Sequence, residues 1–180
     1  SGTTLSHQWQ AETAFTGIPV TDALVTPGRS TEAWISTFGS APTYNGPVLG
    51  RSSELPFGPR GTLRSWFMAL AATDSDVFVA VSKPDDRGVY RWDETAGDWT
   101  RLGAAGIDTV VFRAFEAGLD GRLWLGTDAR GLWQSSDGGS DWQAIEGGGD
   151  WTVWSLAAAP SDGDVVLVGL GPPDGQVGVG

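Results

Sequence analysis

Ser135-Ser136-Asp137-Gly138-Gly139-Ser140-Asp141-Trp142 is the stretch on which the reading of this chain turns. A carboxylate such as that of Asp137 accepts hydrogen bonds from the backbone N–H groups of its own turn, and glycines supply the positive φ that a tight turn needs. Trp142 then opens the next strand and carries a large apolar face into the core. The segment therefore predicts a hairpin turn with an aromatic anchor. Ser135, Asp137, Gly139 and Trp142 are its structural residues.

The surroundings of this turn recur along the chain. Asp-x-Arg-Gly occurs at 85–88 and again at 128–131, and Trp99-Thr100-Arg101-Leu102 is echoed by Trp142-Gln143-Ala144-Ile145 at the same interval of about 43 residues. Trp9-Gln10-Ala11 repeats the start of the latter. Trp66 to Ala72 followed by Asp76-Val77-Phe78-Val79-Ala80 has its copy in Trp154 to Ala159 followed by Asp164-Val165-Val166-Leu167-Val168. A period of this length, filled by short runs of β-branched and aromatic residues between Gly, Asp and Pro, marks the blades of a β-propeller. No long window carries apolar residues at helical spacing.

The fold predicted is all-β: a partial β-propeller of about three and a half four-stranded blades. Strand A of each blade is expected around 67–72, 109–115 and 152–158, and strand B at 77–82, 123–127 and 165–169. Strand C follows at 88–92 and 131–135, and outer strand D at 98–102 and 141–145. Inner strands packed on both faces explain near-continuous apolar runs such as 165–168. The whole of 1–180 reads as one domain. It divides into the end of a preceding blade (1–12), a degenerate blade (13–64) with its best strand at 33–37, a blade at 65–105, the blade containing the Asp137 turn at 106–148, and an incomplete blade at 149–180. Because propellers close on themselves with more blades than this, the expectation is a fragment of a six- to eight-bladed ring.

Composition narrows the chemistry. With 22 acidic against 11 basic residues and a net charge of −11, a nucleic-acid or anionic-membrane surface is disfavoured. The absence of Cys removes disulfides, thiolate metal sites and a Cys nucleophile. His7 is the only histidine, so neither a histidine zinc site nor a Ser-His-Asp triad can be assembled. Gly147-Gly148-Gly149 lacks the Lys-Ser/Thr of a phosphate loop and reads as a connection between blades. No apolar segment is long enough to span a membrane. No cofactor and no metal are expected.

The 135–142 stretch fits Ser/Thr-x-Asp-x-Gly-x-x-Trp and resembles the Asp-box, or bacterial neuraminidase repeat, of sialidase-like propellers. That resemblance implies the fold, and it implies two kinds of occupant. Sialidases use an Arg cluster with a Tyr-Glu pair and an Asp; Tyr44 and Tyr90 are the only candidate tyrosines, and Gly58-Pro59-Arg60-Gly61 does not match the Arg-bearing segment. Xyloglucan-active relatives use a carboxylate pair across a cleft, and none can be placed from the sequence. Sortilin-type ectodomains and photosystem assembly factors with such propellers bind proteins or peptides. Gly121-Arg122-Leu123-Trp124-Leu125-Gly126-Thr127 with Gly131-Leu132 also resembles the repeat of sensor propellers joined to two-component histidine kinases.

These readings converge on a non-catalytic ligand- or protein-binding module of an exported protein, its ligand a protein, peptide or carbohydrate. The alternatives are a glycoside hydrolase with most of its catalytic residues elsewhere, and a periplasmic sensor input domain. An extracellular or periplasmic location is what the resemblance implies. The Asp-x-Arg-Gly loops lie between strands B and C, at the end of the blade opposite the Asp137 turn. Asp85, Arg87, Asp128 and Arg130, with Lys83 and Asp174, are accordingly the candidate ligand-binding rim, against the plainer expectation that these Asp and Gly residues only shape the turns.

Overall fold

A computed structural model describes residues 19–29, 32–38, 46–52, 58–65, 68–103, 106–118, 120–147, 149–159, 162 and 164–172. Within them the chain is built from β-strands, with one 3-10 turn at Pro84–Asp86. The strands form four antiparallel sheets. The first contains β1 (Val20–Val25), β2 (Ala33–Thr37), β3 (Gly46–Arg51) and β4 (Gly58–Ser65), and the second β5 (Met68–Ala72), β6 (Val77–Val81), β7 (Gly88–Asp93) and β8 (Asp98–Arg101). The third holds β9 (Phe112–Ala117), β10 (Leu123–Thr127), β11 (Leu132–Ser135) and β12 (Gln143–Ala144), and the fourth β13 (Thr152–Ala158) and β14 (Val166–Gly171).

Each complete sheet is a meander in sequence order, so its first strand is one edge and its last strand the other. The first strands β1, β5, β9 and β13 pack side by side, and the last strands β4 and β8 also meet. Sheets radiating from a common inner row are blades, and the chain is a partial β-propeller.

The cores lie between successive sheets. Phe78, Ala80 and Val89 of the second sheet pack with Phe112, Phe115, Leu123, Leu125 and Trp142 of the third. Val77, Val79 and Val81 point the other way, against Trp34 and Val48 of the first. Side chains alternate across a strand, so a strand covered on both faces needs apolar residues at every position. That is why Val77–Val81 is apolar and buried throughout. β10 behaves likewise: Leu123 and Leu125 face the second sheet, while Trp124 packs with Val153, Val166 and Val168 of the fourth.

The expectation of two-sided burial for 165–168 fails. Val166 and Val168 pack inward, but Leu167 is 71% exposed and Leu170 54%, because no described strand covers the far face of the fourth sheet. Its inner strand shows the same asymmetry, with Trp154 48% exposed. Trp34, Trp124 and Trp142 are buried core residues, whereas Trp151 is half exposed. Trp34, Trp92 and Trp99 form an edge-to-face triangle with centroids 5.3–5.7 Å apart between the first two blades.

Polar contacts tie neighbouring blades near their inner strands. Leu70 N–H donates to Asp22 (2.7 Å) from the second blade to the first, and the Ser82 hydroxyl bonds both backbone groups of Phe112 between the second and third. Gly126 lets the third and fourth blades touch: a Cβ there would lie 2.5 Å from Val153 Cγ1.

Candidate functional site

The 135–142 turn closes the hairpin between β11 and β12. Asp137 Oδ1 accepts the Ser135 hydroxyl (2.8 Å) and the N–H groups of Ser140 and Asp141 (3.0 Å each), while Ser135 Oγ accepts Gly139 N–H (2.8 Å). These donors, the Asp141 amide foremost, hold the Asp137 carboxyl below its ordinary value. Gly139 has φ +92° and sits against Leu102 and Leu123, where a Cβ would meet Leu102 Cδ1 at 2.8 Å. Trp142 is buried and donates its indole N–H to Gly139 O (3.1 Å). All of this chemistry is consumed inside the turn.

The two Asp-x-Arg-Gly loops differ. In the first, Lys83 pairs with Asp86 (2.8 Å), and that bond raises the Lys83 pKa. Arg87 Nε donates to Ser82 O (3.2 Å), the Tyr90 hydroxyl to Asp86 O (2.7 Å), and Asp85 is exposed. In the second, Asp128 reaches inward. Its Oδ2 accepts Arg113 Nη2 of β9 (2.8 Å) and its Oδ1 accepts the Thr152 hydroxyl of β13 (2.8 Å). Ala129 takes φ 53° in this loop, a conformation rare for a residue with a Cβ. Arg130 is exposed, and its carbonyl receives Trp133 Nε1 (3.2 Å). Asp174, Trp9 and His7 lie outside the described residues.

The four inner strands border an open cavity of about 430 Å³, lined from β1, β5, β9 and β13. Four of its side chains bear on chemistry: Asp22, Arg113, Glu116 and Trp154. Arg113 is fixed between Asp128 and the face of Trp154, its guanidinium carbon 4.9 Å from the ring centroid. Asp22 is fixed by the amides of Leu70 (2.7 Å) and Ala23 (2.8 Å); burial nevertheless raises its pKa, which the two amides partly offset. Among the described residues Glu116 accepts only the amide of its neighbour Ala117, at 3.3 Å. Burial raises its pKa, and the charge of Asp22 adds to the effect.

The expected rim residues thus supply one member of this site, Asp128, and it acts from behind Arg113. Sequence reasoning passed over Asp22, Arg113, Glu116 and Trp154. The available signal was charge inside the innermost strands: Asp22 within Val20–Val25, and Arg113 with Glu116 within Phe112–Ala117. A second groove of about 490 Å³ opens between the first two blades, but its cations are engaged, and its remaining carboxylates Asp93 and Glu94 accept the Thr95 and Ala96 amides and the Trp92 indole. Arg29 pairs with Glu32 (2.9 Å) and Arg91 approaches Asp76 (4.0 Å).

No protein-family model matches the chain, and no curated protein sequence matches it either. Among solved structures it is similar to the GH74 enzyme of Niastella koreensis, with a TM-score of 0.62, 17% identity, and coverage of 87% of this chain and 26% of that one. It is also similar to the extracellular domain of the one-component-system protein BT4673 of B. thetaiotaomicron (TM-score 0.58, 12% identity, 84% of this chain and 20% of that one). YCF48 bound to a D1 peptide gives a TM-score of 0.56 at 14% identity over 80% of this chain and 46% of that one. The chain therefore spans less than half the length of these structures. At such identities the likeness establishes the fold.

Proposed function

We propose that this chain is a binding module of an exported protein, and that a peptide or protein segment enters the cavity between its inner strands. The observation that carries this reading is the Arg113–Asp128–Trp154 arrangement. A guanidinium is pre-set by a carboxylate from the next loop and by an indole from the next blade, beside a carboxylate, Glu116, that is barely bonded. Preorganised polar groups around a concave, partly apolar space are how ligand sites are built. The fold itself does not choose a function, but a peptide complex among the similar structures supports a polypeptide ligand. The Asp-box resemblance of 135–142, and an extracellular domain among the same structures, support location outside the cytoplasm.

The test is binding of extended peptides and soluble glycans to the 180-residue chain and to its Trp154→Ala variant, with melting temperature as the folding control. A peptide bound by the parent and lost in the variant supports the reading. A peptide bound equally by both places the site elsewhere.

A second reading has one observation in its favour. Asp22 and Glu116 bring two carboxyl groups to a single cavity, the residue types from which a glycoside hydrolase draws its acid and its ionised partner. Hydrolysis of a β-glucan by the parent chain, abolished by Glu116→Gln, would move the assignment to that class.

A further inference from the structure

We infer that the cavity takes the ammonium or guanidinium group of a lysine or arginine side chain carried by a partner polypeptide, with Glu116 as its counter-charge. This rests on the binding reading above and names the ligand chemistry it leaves open. The argument is one of charge complementarity inside the cavity. Arg113 and Asp128 neutralise each other at 2.8 Å. Asp22 and Glu116 meet no cation among the described residues, so the lining holds two carboxylates and no remaining positive charge.

The two carboxylates differ in availability. Each oxygen of Asp22 accepts a backbone amide, one from Leu70 of β5 and one from Ala23 of its own strand. Among the described residues Glu116 accepts a single long bond, against an acceptor capacity of about four lone-pair sites. A partly desolvated carboxylate is stabilised most by a charge-assisted bond, and an incoming cation also relieves its repulsion with Asp22.

The walls select a cation on an aliphatic stem. Leu24 and Leu156, both only partly buried, line the same space, and lysine and arginine lay their methylene stems on apolar surface while placing the charged head on a carboxylate. A metal ion is poorly matched, since no three His, Cys, Asp or Glu side chains come together among the described residues. The chain's net charge of −11 attracts a basic segment from a distance.

The experiment uses four labelled peptides of one backbone that differ at a central residue: lysine, arginine, norleucine or glutamate. Binding to the 180-residue chain and to Glu116→Gln is followed by fluorescence polarisation. We expect the lysine and arginine peptides to bind at least about tenfold more tightly than the norleucine peptide, and the glutamate peptide not to bind. Glu116→Gln should remove that preference by weakening the lysine and arginine peptides to the level of the norleucine peptide. Equal binding of lysine and norleucine peptides, unaffected by Glu116→Gln, would overturn the cation assignment and leave the peptide-binding reading standing. Failure of all four peptides to bind would overturn both.

Discussion

The Ser82 hydroxyl accepts the backbone N–H of Phe112 at 2.8 Å and donates to the carbonyl of the same residue at 2.9 Å. Ser82 directly follows the second strand of one blade, and Phe112 begins the inner strand of the next. One hydroxyl thereby satisfies both backbone groups of a buried residue at a place where two sheets meet but do not pair. Removing it leaves a buried donor and acceptor without partners. Ser82→Ala should destabilise the chain by about 1–3 kcal/mol, and Ser82→Thr should recover part of the loss. Urea denaturation measures both; a Ser82→Ala variant as stable as the parent would show that water replaces the hydroxyl.

Gly126 allows the third and fourth blades to approach. A Cβ at this position meets Val153 Cγ1 at 2.5 Å, Val153 Cβ at 2.9 Å and Val153 O at 3.1 Å, so a stiff β-branched side chain and the strand behind it both obstruct it. Gly126→Ala should cost about 1–3 kcal/mol. Val153→Ala, combined with it, should restore part of that loss beyond the sum of the single effects. A double-mutant cycle by thermal denaturation reads the coupling.

The loop at 128–131 holds two charged residues of opposite consequence. Asp128 anchors Arg113 and Thr152, so Asp128→Ala strips the partner from a half-buried guanidinium and should cost about 1–3 kcal/mol. It also frees Arg113 from its seat over Trp154, which the tryptophan emission spectrum reports. Arg130 is exposed, and Arg130→Ala should stay within about 0.5 kcal/mol of the parent. Equal effects would contradict the inward role of Asp128.

The strands were legible because the same residue types recur at one interval. The run expected as a strand at 77–82 folds as Val77–Val81, and 123–127 as Leu123–Thr127. The inner strand expected at 109–115 lies three residues later in its start, at Phe112–Ala117, because Ile107 and Val110 belong to a turn tucked into the core. The site was less legible. Loop charges such as Asp85 and Arg130 stand out in the sequence, yet they face solvent. Glu116 is an unremarkable acid between Phe115 and Ala117, and its environment comes from β1 and β5, far away in sequence. Repetition encodes each blade; a cavity between blades is defined by where the repeats depart from one another.

Two carboxyls give pH effects of opposite sign. Glu116 has a raised pKa from burial, reinforced by Asp22; Arg113, on its own strand, is engaged with Asp128. Its ionised form is therefore the disfavoured one in the fold, and the penalty is complete above the folded pKa and absent below the unfolded value. Glu116→Gln should raise the melting temperature at neutral pH, and the gain should fade as pH drops through the raised pKa. Asp137 has a lowered pKa from the Asp141 amide and the Ser135 hydroxyl. Its contribution is present above the unfolded value and is lost as pH falls through the lowered one. Asp137→Asn should thus be less stable than the parent at neutral pH, and the deficit should close only at the acid end. Melting curves of the three proteins from about pH 3 to about pH 8 separate the cases, since Glu116 and Asp137 are compared against ordinary carboxyl values of about 4. If Glu116→Gln proves destabilising at neutral pH, the carboxylate already has a partner in solution, and the cavity is not short of a cation.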